Sequence, residues 1–319
     1  MEKTFRSESL LPEILILLSS YNGQDYIEEQ IKSILKQTNV ITKILIRDDG
    51  STDNTINIIE NIQSEYPDRI EYVQGVNLGF AESFSRLIKL AHKKYNSIDY
   101  FAFSDQDDIW LPEKLKKAYD KIKNDNYNGP ILYCSDLIVV DKDLNRLNYK
   151  IRKSNHKTHK FINKYNCLVQ NYSAGCTMLF NKATVEKYNK LNPSNIFYHD
   201  YFIYKLCMFL GKVYYDNNSY ILYRQHGKNQ VGAKNFIDRT KKRMELNWLH
   251  AHPIENQNRS FLEVIRNELN STDIKLIEDF CNYNQKFRNK LRLLTNRKIR
   301  YSSLSKDFMY RIRIILGTV

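Results

Sequence analysis

The sequence predicts an α/β protein built around a mainly parallel sheet. Strand-like and helix-like segments alternate through the first half of the chain, with little sequence between them. The first strand candidate, residues 14–19, is an aliphatic run of the kind found in strands that are buried on both faces. Because parallel neighbours need a crossover, this alternation implies parallel strands joined by right-handed connections.

The elements of the first half follow from the spacing of apolar residues. Ile27, Ile31 and Ile34 recur at the helical period. Pro112 suits the first turn of a further helix, because the amide proton that it lacks is not needed there. In chain order, this half predicts strands at 14–19, 43–48, 69–74 and 99–104, and helices at 25–37, 53–66 and 80–94.

The pattern changes in the second half of the chain. Strands are predicted at 131–134, 174–181, 212–216 and 220–225, with a helix at 200–210. Beyond Gly232 the sequence is polar, basic and mostly helical in period, without strand signals. We therefore divide the chain into an α/β domain, residues 1–235, and a basic helical extension, residues 236–319.

The composition is that of a soluble globular protein, with 42% hydrophobic and 27% charged residues. The first twelve residues contain Glu2 and Glu8 and no apolar core, so they do not resemble a secretory signal. The apolar run 14–18 is too short to span a bilayer. The five cysteines are scattered without a C-x-x-C pair. Their pattern disfavours a disulfide framework or a zinc site and favours a reducing cytosol.

The net charge of +13 is concentrated towards the end of the chain. Residues 281–319 hold ten basic residues and one acidic residue, Asp307. Such a segment attracts nucleic acid, anionic lipid or a phosphate-bearing substrate. A solvated helix face that serves solubility alone is the alternative. An interfacial helix is indicated by the grouping of Ile312, Ile314, Ile315 and Leu316 with Arg311 and Arg313.

Polar clusters follow three of the predicted strands, where ligands bind in open α/β sheets. They are Ser19-Ser20-Tyr21-Asn22-Gly23, Asp48-Asp49-Gly50-Ser51-Thr52-Asp53 and Ser104-Asp105-Gln106-Asp107-Asp108. Taken alone, an Asp-Asp-Gly-Ser turn is equally explained as a helix cap made by Ser51 or Asp53. The third cluster is different, because its three carboxylates repel one another and no Lys or Arg stands within that stretch. A divalent cation shared with a phosphate ligand would relieve this repulsion.

As a set, these motifs resemble the family 2 glycosyltransferases of the GT-A fold. The resemblance extends over residues 14–232 and includes Asn77-Leu78-Gly79 and the Asp-Gln-Asp-Asp form of the Asp-x-Asp motif, in family order. It implies a Rossmann-like, mainly parallel sheet, a nucleotide-sugar donor, and Mg²⁺ or Mn²⁺ as cofactor. It also implies that Asp107 holds the cation against the donor diphosphate.

The resemblance assigns further residues to the donor. The nucleotide-sugar contacts that we expect are Ser19, Tyr21, Asn22, Asp49, Asn77, Gly79, Asp105, Gln106 and Arg224. His226 is either a metal or diphosphate ligand or a surface histidine. Since Arg224 is two residues away on the same predicted strand, its side chain is expected on the same face, within reach of a phosphate.

Later motifs resemble bacterial rhamnosyltransferases of polysaccharide assembly. They are Ser104 to Trp110, Ser173-Ala-Gly-Cys-Thr-Met178, His199-Asp200 and Tyr223-Arg-Gln-His-Gly227. Asp200 is then the general base that deprotonates the acceptor hydroxyl, with an ordinary helix N-cap as the alternative. His199 stands where many family members have Glu. The residues expected on the acceptor side are Asp108, Trp110, Gly175, Cys176 and His199; Cys176 is expected to pack, because no base that would activate it is evident.

The resemblance implies an inverting transfer of L-rhamnose from dTDP-β-L-rhamnose to a growing, lipid-linked, cell-surface polysaccharide such as a capsule or O-antigen. The enzyme is then expected in the cytoplasm, peripheral to the inner face of the cell membrane. The alternatives are a UDP-hexose donor, a nucleic-acid-binding protein and a catalytically silent scaffold. Acidic clusters at the ligand edge argue against nucleic acid, and the presence of Asp107 and Asp200 argues against a silent module.

Overall fold

The computed structural model describes residues 11–147, 163–193, 198–227 and 253–319. Its strands are β1 (Glu13–Ser20), β2 (Ile41–Asp48), β3 (Ile70–Gln74), β4 (Tyr100–Ser104), β5 (Ile109–Trp110), β6 (Ile131–Val140), β7 (Leu179–Asn181) and β8 (Lys212–Arg224). Its helices are α1 (Ile27–Leu35), α2 (Thr55–Glu65), α3 (Phe80–Lys94), α4 (Lys114–Ile122), α5 (Lys182–Leu191), α6 (His199–Leu210), α7 (Pro253–Ile265), α8 (Ser271–Cys281), α9 (Phe287–Thr295) and α10 (Leu304–Leu316).

Eight strands of the described residues form one sheet in the order β3-β2-β1-β4-β7-β6-β8-β5. The strands β3, β2, β1 and β4 are parallel, and so are β6 and β8. Strand β7 pairs antiparallel with β4 and β6, and β5 pairs antiparallel with β8. Ser20 of β1 lies beside Asp48 of β2, and Leu18 lies beside Ser104 of β4. The three polar clusters therefore leave the sheet at the same edge.

Strand β1 is buried on both faces, which explains why its sequence is a continuous aliphatic run. Ile14, Ile16 and Leu18 pack into the core beneath α1 and α2, whereas Leu15 and Leu17 pack into the opposite core against α3. Burying one such side chain contributes roughly 1.5–3 kcal/mol, so both faces of the strand stabilise the sheet. The predicted α/β class is confirmed.

Three predicted elements differ from the structure. Within residues 174–181, only Leu179–Asn181 is a strand. Gly175–Thr177 is a 3₁₀ turn, in which Thr177 N donates to Ala174 O and the following Met178 N donates to Gly175 O. The two strands expected at 212–225 are one strand, β8, whose pairing with β6 shifts register twice. Helix α5 was not predicted. It begins at Asn181, whose side chain accepts from Thr184 N at 3.2 Å.

The C-terminal region is helical, as predicted, and has its own apolar core. Ile277, Phe280, Tyr310 and Ile314 pack in this third core, together with Leu168 from the α/β part of the chain. Among the described residues, none of the helices is both long enough and apolar enough to cross a membrane. The domain boundary at 235–236 lies outside the described residues and stays a prediction.

Candidate active site

A cavity of about 500 Å³ opens at the carboxyl ends of β1, β2 and β4. This volume is typical of a small-molecule site. Of the site residues that we predicted, all except Asp108, Trp110 and Arg224 lie in the lining of this cavity. The cavity-lining residues are Ser19, Ser20, Tyr21, Asn22, Asp25, Tyr26, Asp49, Asn77, Gly79, Phe80, Phe84, Asp105, Gln106, Asp107, Ala174, Gly175, Cys176, Tyr198, His199, Asp200, Tyr223 and His226.

The first aspartate of the Asp-Asp-Gly-Ser motif shapes the turn after β2. Asp48 Oδ1 accepts from Ser51 N at 2.8 Å and from Gly50 N at 3.1 Å, while its Oδ2 accepts from Ser20 Oγ at 2.9 Å. Gly50 has φ +84°, a left-handed conformation that side chains disfavour. Asp48 is therefore structural, and the turn that it holds brings Asp49 to the cavity.

Asp49 joins two of the predicted motifs. Its carboxylate pairs with Arg47 and accepts from the backbone amides of Leu78 and Gly79, each at 2.9 Å. Gly79 begins α3 with φ +81°, where glycine is favoured. The Asn77-Leu78-Gly79 loop thus depends on Asp49 for its position, which explains why the chain carries both motifs.

Gln106 fixes the loop after β1. Tyr21 N donates to Gln106 Oε1 at 2.8 Å, and Gln106 Nε2 donates to Tyr21 O at 3.0 Å. A Cβ on Gly23 would overlap the Gln106 side chain, so this close approach requires glycine. Asn22 Oδ1 accepts from Thr52 N at 2.9 Å. Three loops from separate strands are therefore held together at the cavity rim.

The acidic cluster is divided between the cavity and the interior. Asp105 and Asp107 line the cavity, whereas Asp108 is fully buried behind it. Burial, followed by the charges of Asp107 and Asp200, raises the pKa of Asp105 to about 7. Burial and the neighbouring carboxylates raise the pKa of Asp108 well above its usual range. The expectation that Asp108 faces the acceptor is not met.

A buried lysine that sequence reasoning missed lies behind the cluster. Lys114 Nζ lies 3.4 Å from the centre of the Trp110 ring, and both residues are buried outside the cavity lining. Burial lowers the pKa of Lys114 to about 7, an effect that the neighbouring Cys176 and Asp108 partly oppose. Trp110 therefore packs against a lysine and does not reach an acceptor. The sequence feature that could have indicated Lys114 is its position at the start of α4, which follows the acidic cluster after the short strand β5.

Arg224 also lies beneath the cavity. Its Nη2 pairs with Glu29 at 2.6 Å, its Nε donates to Asp107 O at 3.0 Å, and its Nη1 donates to Lys142 O at 2.6 Å. The expected contact with phosphate is not met, because β8 ends at Arg224 and the two-residue period does not continue to His226. Through the carbonyl of Asp107, Arg224 helps to position the acidic loop.

His226 and Asp107 form the pair best placed for a cation. His226 Nε2 lies 2.8 Å from Asp107 Oδ2, both residues line the cavity, and the imidazole stacks on Tyr26 at 4.6 Å between ring centres. Carboxylate oxygen with imidazole nitrogen is a donor set that Mn²⁺ accepts, and Mg²⁺ binds through the carboxylate. The residues present therefore fit the divalent cation that the motif implies.

A second group of potential ligands is less suitable. One ligand atom from each of Asp105, Asp108 and Cys176 lies within 4.8 Å of the others. Cys176 is buried, and burial raises the pKa of its thiol well above the usual range, so it stays protonated. A protonated thiol is a poor ligand for a hard cation. Cys176 packs, as expected from the sequence.

Asp200 lies in the first turn of α6, where the helix dipole favours a carboxylate. The N-cap of this helix is Tyr198, so the simple capping explanation for Asp200 does not hold. Asp200 Oδ1 accepts from Tyr201 N at 2.7 Å, and its Oδ2 accepts from Asn171 Nδ2 at 3.1 Å. The sequence analysis did not identify Asn171. The feature that could have indicated it is its position two residues before the Ser173 motif.

An acid-rich cavity at the carboxyl ends of a mainly parallel sheet, with a further carboxylate at a helix start, is the arrangement that the resemblance to GT-A glycosyltransferases implies. The chain belongs to glycosyl transferase family 2, whose family model matches residues 15–187. It is similar to the dTDP-rhamnosyl transferase RfbG of Shigella flexneri, with 37% identity over 238 residues, which are 72% of this chain and 78% of that protein.

Solved structures support the same fold. The structure of S. aureus TarS 1-349 in complex with UDP-GlcNAc matches with a TM-score of 0.57 and 15% identity, over 90% of this chain and 77% of that one. The mannosyltransferase PcManGT from Pyrobaculum calidifontis, in complex with GDP-Man and Mn²⁺, matches with a TM-score of 0.53 and 14% identity, over 98% of this chain and 82% of that one. The predicted family and fold class are confirmed, and the protein is a glycosyltransferase.

Proposed function

We propose that the protein transfers L-rhamnose from dTDP-β-L-rhamnose, with inversion, to a hydroxyl of a growing, lipid-linked, cell-surface polysaccharide. The observation that carries this proposal is the placement of Asp107 and Asp200 in the lining of one cavity, which Asp105 also lines. One carboxylate serves the donor diphosphate and the other serves the acceptor. The similarity to RfbG supports rhamnose as the sugar.

The reaction is a single displacement at the anomeric carbon. The acceptor oxygen forms the new bond, the bond to the diphosphate oxygen breaks, and Asp200 takes the acceptor proton. Asn171 and the Tyr201 amide hold the Asp200 carboxylate in place. One displacement inverts the configuration, so a β-linked donor gives an α-L-rhamnoside.

Asp107 and His226 are the residues that would hold Mg²⁺ or Mn²⁺. When bound, the cation supplies positive charge to the departing diphosphate. Arg224 and the Gln106–Tyr21 pair keep the acidic loop in position for this role.

The donor is tested by thermal unfolding with a panel of nucleotide sugars and Mn²⁺. A ligand that binds only the native state stabilises it by about 2.7 kcal/mol at 100 times its Kd. We expect dTDP-rhamnose to raise the melting temperature more than UDP-glucose, UDP-galactose or UDP-N-acetylglucosamine does. Free dTDP is the matched control, because it separates recognition of the base from recognition of the sugar.

This screen, together with assays of donor hydrolysis, sugar transfer and nucleic-acid retention, distinguishes the alternatives. A preference for any UDP-sugar would refute the rhamnosyl assignment and leave the glycosyltransferase intact. Binding without donor hydrolysis or transfer would favour a silent module. Retention on DNA or RNA that is sensitive to salt, without binding of any nucleotide sugar, would favour the nucleic-acid alternative.

The C-terminal region has a surface suited to an anionic membrane. We define the α10 apolar surface as Leu304, Phe308, Met309, Ile315 and Leu316, which are 55% to 91% exposed. The opposite side of α10 is buried in the third core, and Ile314 belongs to that side, contrary to the sequence-based expectation. Lys306 and Arg313 lie on the same helix, and Lys290 Nζ donates to Ile315 O at 3.0 Å. Each such basic residue adds about 1 kcal/mol near anionic lipid.

Substitution on this surface tests membrane binding. Leu304→Ser with Phe308→Ser is expected to weaken binding to phosphatidylglycerol vesicles tenfold or more, because burying one such side chain is worth roughly 1.5–3 kcal/mol. Flotation of the full chain at low salt measures this. Ile41→Ser, an exposed apolar residue at the start of β2, is the matched control. A wild-type chain that ignores these vesicles, or an equal loss with Ile41→Ser, would contradict the proposal.

A further inference from the structure

His199 is a polar side chain held in an aromatic box that faces the cavity. Its ring stacks on Phe84 with centres 3.8 Å apart, and it meets Phe103 edge-on at 4.8 Å and Phe80 edge-on at 6.1 Å. The residue is 5% exposed and lines the cavity beside Asp200. These rings fix the plane of the imidazole, so its nitrogens have set directions.

Both nitrogens of His199 are buried, and neither has a hydrogen-bond partner among the residues that the structure describes. A buried polar atom without a partner destabilises a protein, and most such atoms are satisfied. An apolar ring of similar shape would fill this box without that cost. A polar ring in this place is therefore explained by a partner that arrives with a ligand.

The backbone of Gly175 lies beside one of these nitrogens, Nε2. A Cβ on Gly175 would lie 3.1 Å from His199 Nε2 and 3.4 Å from Asp200 Cβ. Any side chain at this position would crowd both residues. The bare backbone therefore leaves unfilled space beside Nε2 and beside the proposed base, at the wall of the cavity.

The chemistry of the box selects the kind of ligand group. Burial lowers the pKa of His199 to about 3, so the ring is neutral, with one donor and one acceptor nitrogen. A phosphate group is bound best by a positively charged side chain, which a neutral imidazole is not. A hydroxyl group can donate a hydrogen bond to such a ring or accept one from it. Sugars present such hydroxyls at the reacting centre.

We infer that His199 is a specificity-determining residue that hydrogen-bonds a hydroxyl of the bound sugar, on the transferred sugar or on the acceptor. This inference rests on the proposed function, since it requires a sugar beside Asp200. His199 stands where the family often has Glu. At this position, a neutral imidazole would therefore recognise the sugar hydroxyl in place of a carboxylate.

The test is His199→Phe, which keeps an aromatic ring in the box and removes both nitrogens. We expect the melting temperature without ligand to be unchanged or higher, whereas sugar recognition falls tenfold or more. Calorimetry with dTDP-rhamnose and with dTDP measures the donor side, and the KM for octyl α-L-rhamnoside measures the acceptor side. His199→Gln, which keeps a neutral donor and acceptor, is expected to retain more recognition than His199→Phe.

Each result has a defined meaning. Weaker binding of dTDP-rhamnose with unchanged binding of dTDP supports a contact with the transferred sugar. A raised KM for the rhamnoside with unchanged donor binding supports a contact with the acceptor. Effects below twofold on both sides, or a His199→Phe chain that is destabilised, would overturn the inference. Failure of the wild type to bind dTDP-rhamnose would instead count against the proposed donor, and the same variants would then be tested with the nucleotide sugar that stabilises the wild type.

Discussion

Replacing Asp200 by Asn is expected to lower sugar transfer by roughly 10²–10⁴-fold, the usual contribution of a positioned general base. Donor affinity is expected to stay near that of the wild type. The amide keeps the shape of the side chain, and its oxygen can still accept from Tyr201 N. The variant cannot take the acceptor proton. Calorimetry of donor binding and initial rates of transfer measure the two quantities separately.

The control for this variant is Asn171→Ala, which removes one hydrogen bond to Asp200 and one from Ser173 N but keeps the Asp200 carboxylate and its bond from Tyr201 N. Its loss of turnover should be much smaller than that of Asp200→Asn. Loss of turnover with intact donor binding is the signature of an interaction needed mainly in the transition state. If Asp200→Asn instead lost donor binding or unfolded, the base would have to be sought elsewhere. Asp105 would then be tested, since Asp108 is buried outside the cavity.

The fold was predictable where the hydrophobic period of one segment decides the structure. Strand β1 is aliphatic on both faces, and α3 was predicted at residues 80–94, the bounds that the structure shows. Prediction failed where tertiary contacts decide. The 3₁₀ turn at Gly175–Thr177 continues without a break into the apolar residues of β7, and the bulged β8 resembles two short strands in sequence.

The site was predictable to the level of its loops. Topology alone brings the clusters after β1, β2 and β4 to one edge, and the cavity lies there. The direction of single side chains was not predictable. Arg224 is buried and pairs with Glu29 at the surface, and Trp110 is buried against Lys114. Those partners belong to α1 and α4, so their contacts depend on packing between elements, which no local pattern encodes.

Asp107→Asn is expected to abolish metal-dependent donor binding while the protein stays folded. Loss of partners that only support metal ligands costs 10–100-fold in metal affinity, so loss of the ligand itself should cost more than about 100-fold. The fold should survive, because the Asp107 carboxylate faces the cavity and its carbonyl still accepts from Arg224 Nε. Titration with dTDP-rhamnose, with Mn²⁺ and with a chelator, measures the effect. The variant should bind the donor as weakly with Mn²⁺ as the wild type does with the chelator.

The matched control for Asp107→Asn is Asp25→Asn, which removes a carboxylate from the lining of the same cavity but outside the acidic cluster. If general loss of negative charge weakened the metal response, both variants would show it. If Asp107 is a ligand, Mn²⁺ should still strengthen donor binding in Asp25→Asn. His226→Gln should give an intermediate loss, since it removes the imidazole 2.8 Å from Asp107 and leaves the charge of the carboxylate. Unchanged metal-dependent turnover in Asp107→Asn would refute the ligand assignment and direct attention to Asp105, the other carboxylate of the cluster that reaches the cavity.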